Sequence, residues 1–135
     1  MKKLLITFVV GLVAVLALAS CGGNDKKANV AVSYYNYADN YISTVRVELD
    51  KQLKDAGVEF TDYDAANNQG TQTDQINTAI AKGATVLIVN IVDTTSADSA
   101  QGIVDAAKAK DIPVIFFNRE VSNAVIDSYE KAAFI

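Results

Sequence analysis

From residue 29 onward, apolar positions alternate between two rhythms, short β-rich runs and longer stretches with apolar residues three or four apart. Asn29–Tyr35 (NVAVSYY) is the first run and predicts a strand. A helix is expected from about Asn40 to Ala56, with Ile42, Val45, Leu49 and Leu53 on one face and Gly57 as its stop. Val58–Tyr63 alternates apolar and polar residues, which predicts a strand with one face more exposed. Gln69–Lys82 predicts a second helix, anchored by Ile76 and Ile80 and ended by Gly83. Ala84–Val89 is continuously apolar, as in a strand buried on both faces. Ser96–Lys110 predicts an Ala-rich helix with Ile103, Val104 and Ala107 inward, and Ile112–Phe117 a fourth strand. The strands begin near residues 29, 57, 84 and 112, a spacing of 27 or 28. Strand and helix alternating at that period predict right-handed βαβ units and an α/β fold with a doubly wound parallel sheet.

The first 20 residues follow another rule. Lys2 and Lys3 precede an apolar run from Leu4 to Leu18, broken only by Thr7 and Gly11, and the small residues Ala19 and Ser20 close it. Those are the marks of a secretory signal peptide, and the run is short of the roughly 20 residues a membrane span needs. Leu18-Ala19-Ser20-Cys21 resembles the lipobox of bacterial lipoproteins. The resemblance implies cleavage before Cys21, a diacylglyceryl thioether on its sulfur and an acylated amino terminus. More than one acyl chain makes a stable anchor where one is marginal. The expected organisation is therefore a signal peptide at 1–20, a lipidated Cys and polar tether at 21–28, and a folded segment at 29–135. The expected location is the outer face of the cell membrane.

Composition narrows the function of that segment. Losing residues 1–20 moves the net charge from −4 to −6, and no basic run remains, so nucleic acid is a poor partner. With no His and one Cys, an internal disulfide is excluded and no metal centre is expected.

Ligands of open α/β sheets sit outside the carboxyl ends of the strands. Those ends read Asn36-Tyr37-Ala38-Asp39-Asn40-Tyr41, then Asp64-Ala65-Ala66-Asn67-Asn68, then Asn90-Ile91-Val92-Asp93, and last Asn118-Arg119-Glu120. Carboxylates and amides can bond adjacent hydroxyls, and an aromatic face can cover a sugar ring, so the edge suits a neutral polyol. A dinucleotide is not suited, because the first turn lacks a Gly-rich loop. Asp and Asn are also ordinary helix caps, and Asp39 or Asn40 stands where a cap belongs. The tyrosines could equally pack at the edge of the core.

The string Tyr35-Asn36-Tyr37-Ala38-Asp39-Asn40-Tyr41 resembles the first-strand loop of the periplasmic galactose/glucose-binding proteins. Asp74-Gln75-Ile76, Ala81-Lys82-Gly83, Asn90-Ile91-Val92-Asp93, Pro113 to Glu120 and Asp127 to Ala132 match in the same order. The resemblance implies the first lobe of a type I periplasmic-binding-protein fold. Such a receptor is non-enzymatic, closes on a hexose and delivers it to an ABC permease; a chemoreceptor or sensor kinase is a further partner the family allows. Carried over, Asp39 would accept sugar hydroxyls, Asn118 would bond their neighbours and Tyr41 would stack on the ring. Tyr35 and Asn90 are weaker candidates. Ala38 stands for a second acidic residue of the family, Arg119 for a Lys, and Tyr41 for a residue that is usually Phe. The resemblance implies that the second lobe, with its calcium loop, lies outside this segment, so no cofactor is expected in it. The strands and helices that complete the first lobe are expected to be missing too, leaving an unpaired sheet edge and apolar surface on the later helices and at Phe134–Ile135. Two other readings stay open, an enzyme using Asp39 and Glu120 as acid and base, and a sugar-responsive transcription regulator. The absence of a nucleophile-elbow Ser and the signal peptide speak against them.

Overall fold

The computed structural model describes residues 27–135, so the signal segment, Cys21 and all but the end of the tether lie outside the described residues. Strands β1 (Asn29–Tyr34), β2 (Glu59–Asp64), β3 (Val86–Val89), β4 (Val114–Phe116) and β5 (Ala132–Phe134) form one sheet of order β2-β1-β3-β4-β5. Every neighbouring pair is parallel. Helices α1 (Asn40–Asp55), α2 (Gln69–Ala81), α3 (Ala97–Lys108) and the single turn α4 (Asn123–Ile126) connect them. The α/β fold with a doubly wound parallel sheet is thus as expected, with two departures. β3 and β4 are each shorter than their apolar runs, and a fifth strand pairs outside β4, where four strands were expected.

The pleat divides the strand residues between two cores. Val30, Val32, Tyr34, Val86, Ile88, Ile115 and Phe117 join the α1 residues Ile42, Val45, Leu49 and Leu53 on one face. Ala31, Leu87, Val89, Val114 and Phe116 meet α2 and α3 on the other. Burying each large α1 side chain contributes about 1.5–3 kcal/mol, which is what fixes the helix against the sheet. The expected anchor Ile80 is only half-buried; Ala79 and Gln72 share the inner face of α2 with Ile76 instead. The expected apolar surface on the later helices is not found. Among the described residues the exposed large apolar side chains are Tyr41, Val47, Phe134 and Ile135.

Helix ends explain the 27–28 residue period. After α1, the Gly57 N–H donates to the Lys54 carbonyl and the Val58 N–H to that of Leu53, with Gly57 at φ +67°. After α2, Gly83 and Ala84 repeat the pattern onto Ile80 and Ala79. Asp111, at φ +58°, takes the glycine's place after α3. This left-handed cap turns the chain into the next strand after three helices of 12 to 16 residues.

Candidate functional site

The loops after β1, β3 and β4 lie side by side at the carboxyl edge, because those strands are neighbours in the sheet. Strand order reverses between β1 and β3, the place where such sheets leave a crevice. Much of the Asp and Asn that marks this edge serves the backbone. Asp39 caps α1, its Oδ1 accepting the Ile42 N–H at 2.8 Å, and Asn68 caps α2 through Thr71 at 2.9 Å. Asp93 collects the N–H groups of Thr95 and Ser96 and the hydroxyls of Thr95 and Ser99 ahead of α3. Asp64 accepts the N–H of Ala66 and of Tyr37, which ties the β2 loop to the β1 loop.

Asp39 keeps a second oxygen. Its Oδ2 accepts the Tyr35 hydroxyl at 2.8 Å. The Ile42 N–H and then the Tyr35 hydroxyl hold this carboxyl below the usual carboxylate value. The same bond raises the Tyr35 phenol. The site therefore presents a permanently charged acceptor at neutral pH, with lone pairs left for a ligand. The Tyr35 ring lies under the Arg119 guanidinium, 4.4 Å from its centroid. Arg119 Nη1 also donates to the Ile91 and Val92 carbonyls at 2.9 and 2.7 Å. One side chain from the β4 loop thus grips the β3 loop and covers the β1 loop.

The other residues expected at the site divide between surface and interior. Asn118 is exposed, in the left-handed conformation at φ +64°, and among the described residues its side chain has no partner. Tyr41 lies in the first turn of α1 and is half exposed at 51%. Asn90 is fully buried; its Nδ2 donates to the Phe117 carbonyl at 3.1 Å, and its Oδ1 has no partner among the described residues. It therefore holds the backbone just before Asn118 rather than facing solvent.

A family model described as a periplasmic binding protein domain matches residues 30–135. The chain belongs to that family. Along its whole length this periplasmic binding protein domain is 36% identical to the D-galactose/methyl-galactoside binding periplasmic protein MglB of Haemophilus influenzae, and it covers 40% of that protein. Among solved structures, an ABC transporter solute binding protein from Bacillus halodurans with bound myo-inositol aligns with a TM-score of 0.69 at 29% identity, over 84% of this chain and 37% of that one. A solute binding protein from Clostridium phytofermentans with bound β-D-glucose gives 0.64 at 30% identity, over 70% and 28%. The periplasmic binding protein domain thus spans well under half the length of these relatives.

Sequence reasoning missed Gln72. Completely buried in α2, its Nε2 donates to Ser33 Oγ and the Asn90 carbonyl, both at 3.0 Å, and its Oε1 accepts the Val92 N–H at 2.9 Å. In this domain it links the ends of β1 and β3 from below, while Arg119 holds the same loop from above. Its signal was a polar residue four positions before Ile76, on the stripe that should be apolar. Among the described residues no group of three or more Asp, Glu, His or Cys could hold a metal ion.

Proposed function

We propose that this chain is the first lobe of the substrate-binding lipoprotein of an ABC importer, and that it takes a hexose, galactose or glucose. Asp39 accepts hydrogen bonds from two sugar hydroxyls, Asn118 bonds neighbouring hydroxyls, and Tyr41 covers the ring; Tyr35 and Asn90 support the first two from behind. Cys21 carries the lipid that keeps the protein at the outer face of the membrane, and the lobe performs no chemistry. A sensory role through a chemoreceptor or kinase uses the same site. The observation that supports this reading best is Asp39, a charged acceptor with lone pairs to spare at the carboxyl edge of the sheet, two residues before the exposed Tyr41. The galactose-binding relative at 36% identity favours a hexose. The inositol-bound structure favours a second reading, a cyclic polyol with the same vicinal hydroxyls.

The test is an NMR titration of the chain with galactose, glucose and myo-inositol. If a complete two-lobed site binds near −8 kcal/mol, half its contacts leave about −4 kcal/mol, a Kd of about 1 mM. The expected result is saturable, millimolar shifts centred on Asp39, Tyr41 and Asn118, largest for a hexose. Asp39→Asn keeps a cap of equal quality and loses the charge, so it should leave the fold intact and weaken binding by roughly 10- to 100-fold. Shifts confined to myo-inositol support the second reading, and no saturable shift with any of the three overturns both.

A further inference from the structure

We infer that Arg119 is the positioning residue of the Asp39 carboxylate and acts through the ring of Tyr35. The inference rests on the reading of Asp39 as the sugar acceptor and deepens it. Three observations carry it. The guanidinium has a fixed place, because Nη1 donates to two successive carbonyls of the β3 loop, Ile91 and Val92, at 2.9 and 2.7 Å. Its Cζ then lies over the Tyr35 ring, 4.4 Å from the centroid, well inside the range of cation–π attraction. The hydroxyl of that ring reaches Asp39 Oδ2 at 2.8 Å, while Oδ1 is committed to the start of α1.

The Tyr35 ring is half-buried, packed against the core that β1 and α1 share, and the guanidinium adds a second contact that restrains its exposed part. Tyr35 then holds one carboxylate oxygen while the helix start holds the other, so the carboxylate plane is fixed and its free lone pairs keep one direction. A preformed acceptor loses less entropy on meeting two hydroxyls than a rotating one. Because Arg119 belongs to the β4 loop, the same contact sets the distance between Asp39 and its neighbour in the proposed site, Asn118. A Lys here could reach the carbonyls but has no flat face to lay on the ring.

The experiment follows the Asp39 carboxyl by ¹³C NMR as pH is lowered, in the full chain and without sugar. In the wild type the midpoint should lie below the ordinary value of 3.8. Tyr35→Phe keeps the ring under Arg119 and removes only the hydroxyl, so the midpoint should rise. Arg119→Gln should raise it too, through the loosened Tyr35 hydroxyl. In the double variant Arg119→Gln should add nothing to Tyr35→Phe. Should Arg119→Gln fail to fold, Arg119→Lys, which keeps the charge, should show the same upward direction. A wild-type midpoint in the folded Arg119 variants, or a full additional shift on the Tyr35→Phe background, overturns the inference. A midpoint that behaves as expected while no sugar perturbs Asp39 upholds the positioning and removes the sugar reading.

Discussion

At the scale of single residues, the carboxyl edge rests on polar side chains that act on backbone. Gln72→Leu would leave the Val92 N–H without its acceptor and the Asn90 carbonyl and Ser33 hydroxyl without their donor. Buried groups left unpaired cost about 1–3 kcal/mol each before relaxation, so a loss of roughly 2–4 kcal/mol is expected. Urea unfolding should show a lower midpoint with an unchanged slope. The strand-end pattern located the edge where these groups meet, and the resemblance to the galactose/glucose-binding proteins named Asp39, Tyr41 and Asn118. Neither could separate capping from ligand binding, since an Asp before a helix is suited to both; the structure assigns Asp39 one oxygen for capping and a second held by Tyr35. Asn90 and Gln72 were harder to read, because burial in the loop layer depends on which strand ends become neighbours. That is a property of strand order, and no local pattern carries it.

At the scale of elements, α1 meets β2 through an unusual polar contact. Asp62 on β2 faces Asp50, Arg46 and Lys54 of α1, with the phenols of Tyr34 and Tyr37 beside them. Burial first, then the neighbouring Asp50 carboxylate, push the Asp62 carboxyl up to about 7, against the pull of Arg46 and Lys54. Arg46 lies 4.2 Å from the Tyr37 ring centroid, and burial raises that phenol to about 12. In the fold Asp62 keeps its proton up to about 7, whereas the unfolded chain releases it near 3.8. Its contribution to stability is therefore complete below pH about 4, is lost as the pH rises to about 7, and is absent above. Discounted for solvent at this partly exposed site, the loss is about 1–2 kcal/mol. Asp39 and Asp93, whose carboxyls are held low, work the other way, and their contribution disappears only as the pH falls below the ordinary carboxylate range. Denaturation midpoints measured from pH 4.5 to 8 should fall in the wild type and flatten in Asp62→Asn. The helices themselves were legible, since Gly57 and Gly83 end them and their buried faces repeat at helical spacing. β5 was not. Ala132–Phe134 is three residues long and half exposed, and it exists because the edge of β4 offers it a partner.

At the scale of the whole molecule, the strand order grades the sheet from centre to edge. β1 and β3 are paired on both sides, while β2 and β5 are paired on one. Amide exchange should therefore be slowest at Val30–Ser33 and Leu87–Val89 and fastest at Ala133–Ile135, with protection rising inward across β4. Equal exchange across β5 and β3 would show that the sheet opens as one unit. The order has a further consequence for how fast the chain folds. β2 reaches β1, β4 reaches β3 and β5 reaches β4 across one connection each, whereas β3 must close over the whole of α1, β2 and α2 to find β1. Loop-closure entropy grows with the length enclosed, and it must be met before the pairing returns anything. Docking β3 against β1 is thus expected to be the slowest of the pairings. Once it is passed, each later strand adds at a finished edge in the order in which the chain is synthesised.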